Sequence, residues 1–231
     1  MTLEDLGYNK ELEEYRKEKN LDSFGIGRVI SEHKDRYTVK TEDGEFDSEL
    51  IGNLRFTVTD RNELPYVGDW VSISEYDEGK ALIHAVFPRK SIVERKAVGK
   101  LGQTQIIATN IDYGLIVQSV NRDFNINRLE RYLTICHASK IEPIIVLSKV
   151  DLIEKKELEG LINQVKKRIS NVPLFELSNQ SGLGIDSLKS KLVRGYTYCL
   201  LGSSGAGKST LINSLIGTNL METGEISESI D

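Results

Sequence analysis

The sequence predicts an α/β chain in two parts: a small OB-like β-barrel, then a parallel sheet with helices on both faces. Three observations carry this. First, five short stretches of strand character, GIGRVIS, RYTVKT, FDSELI, DWVSIS and ALIHAVF, fall between Phe24 and Lys90, with turn signals at Glu42-Asp43-Gly44 and Asp77-Glu78-Gly79. Second, beyond residue 112 apolar runs alternate with amphipathic stretches, the texture of repeated βα units. Third, GSSGAGKST at residues 202–210 matches G-x-x-x-x-G-K-[ST]; the apolar run Tyr198, Cys199, Leu200, Leu201 precedes it, and Leu211, Ile212, Leu215 and Ile216 follow at helical spacing.

Taken in order, residues 1–23 form an N-terminal helical segment. Its helix is expected over 2–20, with Leu3, Leu6, Leu12 and Tyr15 as a thin apolar stripe that packs on the following domain. Residues 24–90 form the barrel, five strands with few helical signals. Trp70 alternates with apolar neighbours in VGDWVSIS and is read as core rather than as a stacking platform. Residues 91–109, with Gly99 and Gly102, read as a connector, so the domain boundary is placed near Lys90 and the second domain spans 91–231. Strands are expected at 113–120, 144–147, 174–177 and 197–201, and helices at 126–139, 154–170 and 185–193.

Composition narrows the functional classes. The formal charge of −5 over 231 residues argues against nucleic-acid binding through overall basicity. The barrel stretch itself holds nine Lys/Arg against thirteen Asp/Glu, so any RNA contact is local. Arg28, Lys34, Arg36, Tyr37 and Arg55 could make such a face, and solvated surface is the other reading of each. No apolar run reaches membrane-spanning length and the N-terminus is charged, so a cytoplasmic protein is expected. Two cysteines, Cys136 and Cys199, make no disulfide framework and read as buried thiols, and three histidines show no metal-ligand spacing.

The chemistry concentrates at residues 202–210. Glycines at 202, 205 and 207 allow a sharp turn in which the backbone N–H groups of residues 203–209, hence of Ser203, Ser204, Gly205, Ala206 and Gly207, point at an anion. The following helix adds its positive end. Lys208 is expected to reach the outer phosphates and offset developing charge, Ser209 to offer its hydroxyl to Mg2+, and Thr210 to hydrogen-bond an inner phosphate. The loop alone does not choose the base, so an ATP-binding enzyme remains open at this point. In parallel sheets ligands sit at the carboxyl ends of strands. Two further turns fall there: Ser148-Lys149-Val150-Asp151 and Ser178-Asn179-Gln180.

SKVD resembles the NKxD or TKxD element of GTP-binding proteins, and the turn at Ser178 and Asn179 resembles their second base-contacting loop. The resemblance implies that Asp151 accepts hydrogen bonds from N1–H and the exocyclic amine of guanine, a pattern adenine lacks, and that Lys149 lies along the base. Ser148 stands where the usual Asn ties the base loop to the phosphate loop, and a hydroxyl offers fewer hydrogen bonds. The base-reading motif precedes the phosphate loop, the reverse of ordinary GTPases, so the domain reads as circularly permuted.

A permuted P-loop GTPase domain behind an N-terminal barrel is similar to the ribosome small-subunit-dependent GTPase A family, of RsgA type. LPYVGDWV, QTQIIATNIDYGLIVQSV, FNINRLERYL, PIIVLSKVDL, GSSGAGKSTLINSLIG and TGEIS carry the likeness over essentially the whole chain. It implies GTP hydrolysis to GDP and phosphate, Mg2+ as cofactor, and action in late maturation of the small ribosomal subunit through contacts with that subunit and its rRNA; a monomer is the separate expectation. The likeness also implies a threonine-bearing switch, a D-x-P-G motif and a zinc-binding tail after TGEIS. These are not among the 231 residues, so zinc is expected only beyond Asp231 and the chain reads as C-terminally incomplete. The alternative is an RNA-binding assembly protein that uses nucleotide only as a non-hydrolysed latch.

Overall fold

The computed structural model describes residues 1–34, 36–52, 61–96, 104–121, 124–218 and 220–221. Arg55, Gly99, Gly102 and the TGEIS segment lie outside the described residues. The chain divides into two compact units, residues 1–112 with 194–197, and residues 113–193 with 198–231.

In the first unit β1 (Gly25–His33), β2 (Arg36–Lys40), β3 (Glu45–Leu50), β4 (Trp70–Asp77) and β5 (Lys80–Val86) close into a barrel of order β1-β2-β3-β5-β4. β3 and β5 pair in parallel and the other neighbours are antiparallel, as an OB-like barrel requires. Period-two alternation fills it: Phe46 and Ser48 of β3 turn inward while Glu45, Asp47 and Glu49 face water. Val29, Tyr37, Val39, Val71, Ile73, Ala81 and Ile83 complete the core.

The N-terminal helix is shorter than its sequence pattern suggests. A 3-10 turn at Glu4–Leu6 ends at Gly7, whose φ is 94°, and α1 begins afresh at Lys10–Glu18. Asn9 caps it, its Oδ1 accepting the N–H of Leu12 at 3.0 Å. Leu12 packs with Ile26, Trp70 and Phe87, flanked by Leu3, Leu6, Tyr8 and Tyr15. Trp70 is buried in this layer.

Residues 91–109 are not merely a connector. β6 (Ile92–Lys96) and β7 (Thr104–Thr109) pair antiparallel as a two-stranded sheet within the first unit, with Val93 and Ile106 buried. The β-branched residues Ile92, Val93, Thr104, Ile106, Ile107 and Thr109 favour strand at both ends of the stretch, whatever the glycines between them suggest.

Buried charge knits the same unit. Asp69, fully buried, accepts from Arg89 Nη2 at 2.7 Å, from Thr109 Oγ1 at 2.6 Å and from the Tyr66 N–H at 2.8 Å. Arg28 donates to the carbonyls of Leu6, Gly68 and Asn110 and to Thr197 Oγ1. Burial lowers its pKa, with Asp112 and Asp69 pulling the other way.

The second unit is a four-stranded parallel sheet of order β10-β9-β8-β11, from β8 (Tyr113–Ser119), β9 (Glu142–Ser148), β10 (Leu174–Leu177) and β11 (Tyr198–Leu201). Its helices are α2 (Ile126–Ala138), α3 (Lys155–Arg168), α4 (Ile185–Lys189) and α5 (Lys208–Ile216). Both faces are covered. Leu115, Val117, Ile144 and Val146 pack with Ile185 and Leu188 of α4 and Leu211 of α5. On the opposite face Gly114 lies so close to α2 that a Cβ there would sit 2.7 Å from Cys136 Sγ. Burial on two sides explains the near-continuous apolar strands. Among the described residues no helix is long and apolar enough to cross a membrane.

Candidate functional site

The strand registers bring three loops to one edge of the second unit's sheet. Ser119 of β8 lies beside Ser148 of β9, and Leu177 of β10 beside Ser148; Leu201 of β11 lies beside Ile116. Because all four strands run in parallel, residues 148–151, 178–180 and 202–209 leave from the same, carboxyl, end. The chain goes outward from β8 through β9 to β10 and returns to the other side of β8 as β11. The phosphate loop therefore opens at the switch point of the sheet, where such folds hold ligands.

Two glycines set the loop's path. Gly202 has φ 153°, and a Cβ there would lie 2.3 Å from the Val117 carbonyl oxygen. Gly207 has φ 90° immediately before α5, and its Cβ would meet Asn179 Nδ2 at 3.4 Å. A side chain at 202 would collide with β8 and one at 207 would be strained, so both turns of the loop depend on glycine. The loop then runs into α5, whose first residues are Lys208, Ser209 and Thr210.

Lys208 folds back over the loop. Its Nζ donates to the carbonyls of Gly202 at 2.9 Å and Ser203 at 2.7 Å. Partial burial lowers its pKa, since the ammonium has given up water for two neutral acceptors. Ala206 is buried, Ser203, Gly205 and Ser209 are half-buried, and Ser204 is exposed.

Ser148 does more than its chemistry suggested. It is 1% exposed, and its hydroxyl donates to the Ala206 carbonyl at 2.6 Å, so the loop after β9 is tied directly to the glycine-rich loop after β11. Lys149 follows in the left-handed region at φ 60°, a strained conformation for a lysine. It turns the chain into the short 3-10 turn Val150–Leu152, with Val150 buried and Asp151 exposed. Asp151 thus stands at the rim, three residues beyond a side chain locked onto the phosphate loop.

In the second turn Ser178 is fully buried, its Oγ accepting the Ser181 N–H at 3.2 Å. Asn179 projects toward Gly207, and its Oδ1 is buried without a hydrogen-bond partner. An unpaired buried acceptor beside Gly207 is the kind of group that a ligand satisfies. Among the described residues no cluster of three or more His, Cys, Asp or Glu is placed to hold a metal ion. Ser209, in the first turn of α5, carries a hydroxyl oxygen, the class of hard donor that suits Mg2+.

One contact was not legible from the motifs. Arg128, in the first turn of α2, donates from Nη1 to Ser203 Oγ at 3.2 Å. It sits 75 residues away in the chain, and a charged residue on an amphipathic helix gives no signal of such a role.

Comparison with known proteins agrees with this arrangement. Residues 86–231 match the family described as RsgA GTPase. The small ribosomal subunit biogenesis GTPase RsgA 2 of Lactiplantibacillus plantarum is 42% identical over 201 residues, covering 87% of this chain and 56% of that protein. The small ribosomal subunit biogenesis GTPase RsgA of Opitutus terrae is 38% identical, covering 100% of this chain and 65% of that protein. The chain thus spans less than two thirds of the length of these relatives. Among solved structures, YjeQ from Thermotoga maritima superposes with a TM-score of 0.68 at 26% identity, over 83% of this chain and 64% of that one. YloQ, described as a circularly permuted GTPase, shares the fold at a TM-score of 0.62 and 21% identity, over 83% of this chain and 63% of that one. With a barrel unit, a glycine-rich loop at the carboxyl end of a parallel sheet, and a family match over well over half its length, the chain belongs to the RsgA GTPase family.

Proposed function

We propose that this chain is the guanine-nucleotide-binding part of a cytoplasmic, monomeric GTPase that hydrolyses GTP to GDP and phosphate in maturation of the small ribosomal subunit. The observation that carries the reading is the Ser148–Ala206 hydrogen bond at the carboxyl edge of the sheet, which joins the two loops a single nucleotide would span.

In this reading the backbone N–H groups of residues 203–209 cradle the phosphates. Lys208 exchanges the carbonyls of Gly202 and Ser203 for phosphate oxygens, regaining the charged partner that its burial calls for. Ser209 holds Mg2+, which when bound offsets charge on the outer phosphates. Thr210 hydrogen-bonds an inner phosphate. Asp151 accepts from N1–H and the exocyclic amine of guanine, Lys149 lies along the base, and Ser178 and Asn179 close its far side. These groups bind, orient and neutralise; they account for positioning and charge stabilisation, the main contributions in phosphoryl transfer. The relatives are named for small-subunit biogenesis, and the barrel is the proposed site of rRNA contact.

The test is displacement of a fluorescent GDP analogue from the chain by GDP, GTP and ADP. GDP and GTP should displace it, and ADP should compete at least about 100-fold less well, since a site built on buried hydrogen bonds rejects the base that leaves them unpaired. Equal competition by ADP would defeat the guanine assignment. Phosphate release by the full-length protein should rise when small ribosomal subunits are added; binding without turnover in both conditions would favour a nucleotide-latched RNA-binding protein instead.

A further inference from the structure

Helix α2 starts in a way its own stability does not explain. Its first turn carries no acidic residue and does carry Arg128, a cation at the positive end of the helix dipole. The turn is nevertheless firmly held. Asn125 Oδ1 caps it by accepting the N–H of Arg128 at 3.3 Å. The Asn125 carbonyl accepts in turn from Nε2 of Gln118, a buried residue of β8, at 3.1 Å. Arg128 therefore leaves from a fixed point.

Among the described residues no carboxylate neutralises its guanidinium. The only acid of α2, Glu130, is taken by Arg168 at 2.7 Å, and among the described residues Arg128 has no carboxylate partner. What it touches is Ser203 Oγ, at 3.2 Å, the second residue of the phosphate loop, and one whose carbonyl already holds Lys208. A residue that breaks a local rule, has no counter-charge among the described residues and contacts the loop proposed to bind phosphate fits a functional demand better than a packing one.

We propose that Arg128 is a positioning residue of the nucleotide site. Through Ser203 it fixes the entry of the phosphate loop, and it adds a second cation, beside Lys208, to the field the phosphates meet. The inference rests on the nucleotide-binding reading above. Because its contribution is partly charge, it grows with the number of phosphates, a dependence that loop anchoring alone does not produce.

The experiment is a ladder of GMP, GDP and a non-hydrolysable GTP analogue, titrated against the full chain and its Arg128→Gln, Arg128→Lys and Ser203→Ala variants, with thermal melts alongside. Arg128→Gln should weaken the triphosphate about 10-fold, the diphosphate less and GMP hardly at all. Arg128→Lys should restore most of the triphosphate preference by keeping the charge. Ser203→Ala should weaken GDP and the triphosphate by a similar small factor, and in the double variant its effect should largely vanish. An unchanged ladder in Arg128→Gln, or a uniform loss for all three nucleotides, would overturn the proposal. Should Arg128→Gln melt early, Arg128→Lys decides by the same criterion: a triphosphate preference lost although charge and fold are kept counts against it. If the parent chain itself binds no guanine nucleotide, the functional reading falls first.

Discussion

The two units bury polar groups to opposite ends. In the barrel unit most such groups face one another: Asp69 is met by Arg89, Thr109 and the Tyr66 amide, and Arg28 by three carbonyls and a hydroxyl. In the sheet unit Ser119, Ser148 and Ser178 collect at the carboxyl ends of the strands, with Asn179 carrying an unmet acceptor and Lys208 resting on its own loop. Saturated polar networks specify a fold; a buried acceptor left unmet at a strand edge, as at Asn179, is a group a ligand can satisfy. Of the barrel's described polar side chains, Ser72 Oγ is the buried atom left without a partner, and it is enclosed in the sheet.

The contrast is sharpest if one unit can be damaged in stability and the other in binding. Arg89→Met should be the most costly change, about 3–5 kcal/mol in denaturant unfolding of the barrel unit, because it strands the Asp69 carboxylate in a buried site. A loss below about 1 kcal/mol would mean that Asp69 finds water or a new donor. Lys208→Ala should cut GDP and GTP affinity by about 100-fold, roughly 2.7 kcal/mol, in the displacement assay while leaving the melting temperature almost unmoved. A large fall in melting temperature without loss of affinity would erase the distinction between the units.

Smaller changes refine it. Ser148→Ala removes the donor to the Ala206 carbonyl and should lower both stability and GDP affinity, by about 1–3 kcal/mol in total. Asp151→Asn should leave stability untouched, since Asp151 is exposed, yet reduce preference for GTP over xanthosine triphosphate. An unaltered preference would remove Asp151 from base recognition. The thiols give the smallest effect. Burial raises Cys136 and Cys199 to about 11 from 9.0. Their neutral forms are thus favoured in the folded state, a contribution fully present below pH 9 and lost as pH rises from about 9 toward 11. Stability of the wild-type chain should fall across that window more steeply than that of a Cys136→Ala, Cys199→Ala double variant.

How much of this was legible in the sequence depends on the range of the interactions. The phosphate loop was readable because nine adjacent residues define it, and the barrel because alternation survives in each strand. The strand ends at Ser148 and Ser178 followed from apolar runs stopping at polar turns. The break of the first helix at Gly7 was hidden by a continuous charge pattern, and β6 and β7 by the glycines between them. The Ser148 hydroxyl bond, the Asp69–Arg89 pair and the Arg128 contact join residues far apart in the chain. Their side chains look like ordinary surface or turn residues until folding sets them face to face.

The clasp of Lys208 Nζ on the Gly202 and Ser203 carbonyls joins the start of the loop to the first turn of α5. In the proposed site, a phosphate oxygen that takes this ammonium replaces partners it already has, so the affinity lost in Lys208→Ala measures the difference between two sets of bonds and not the strength of either.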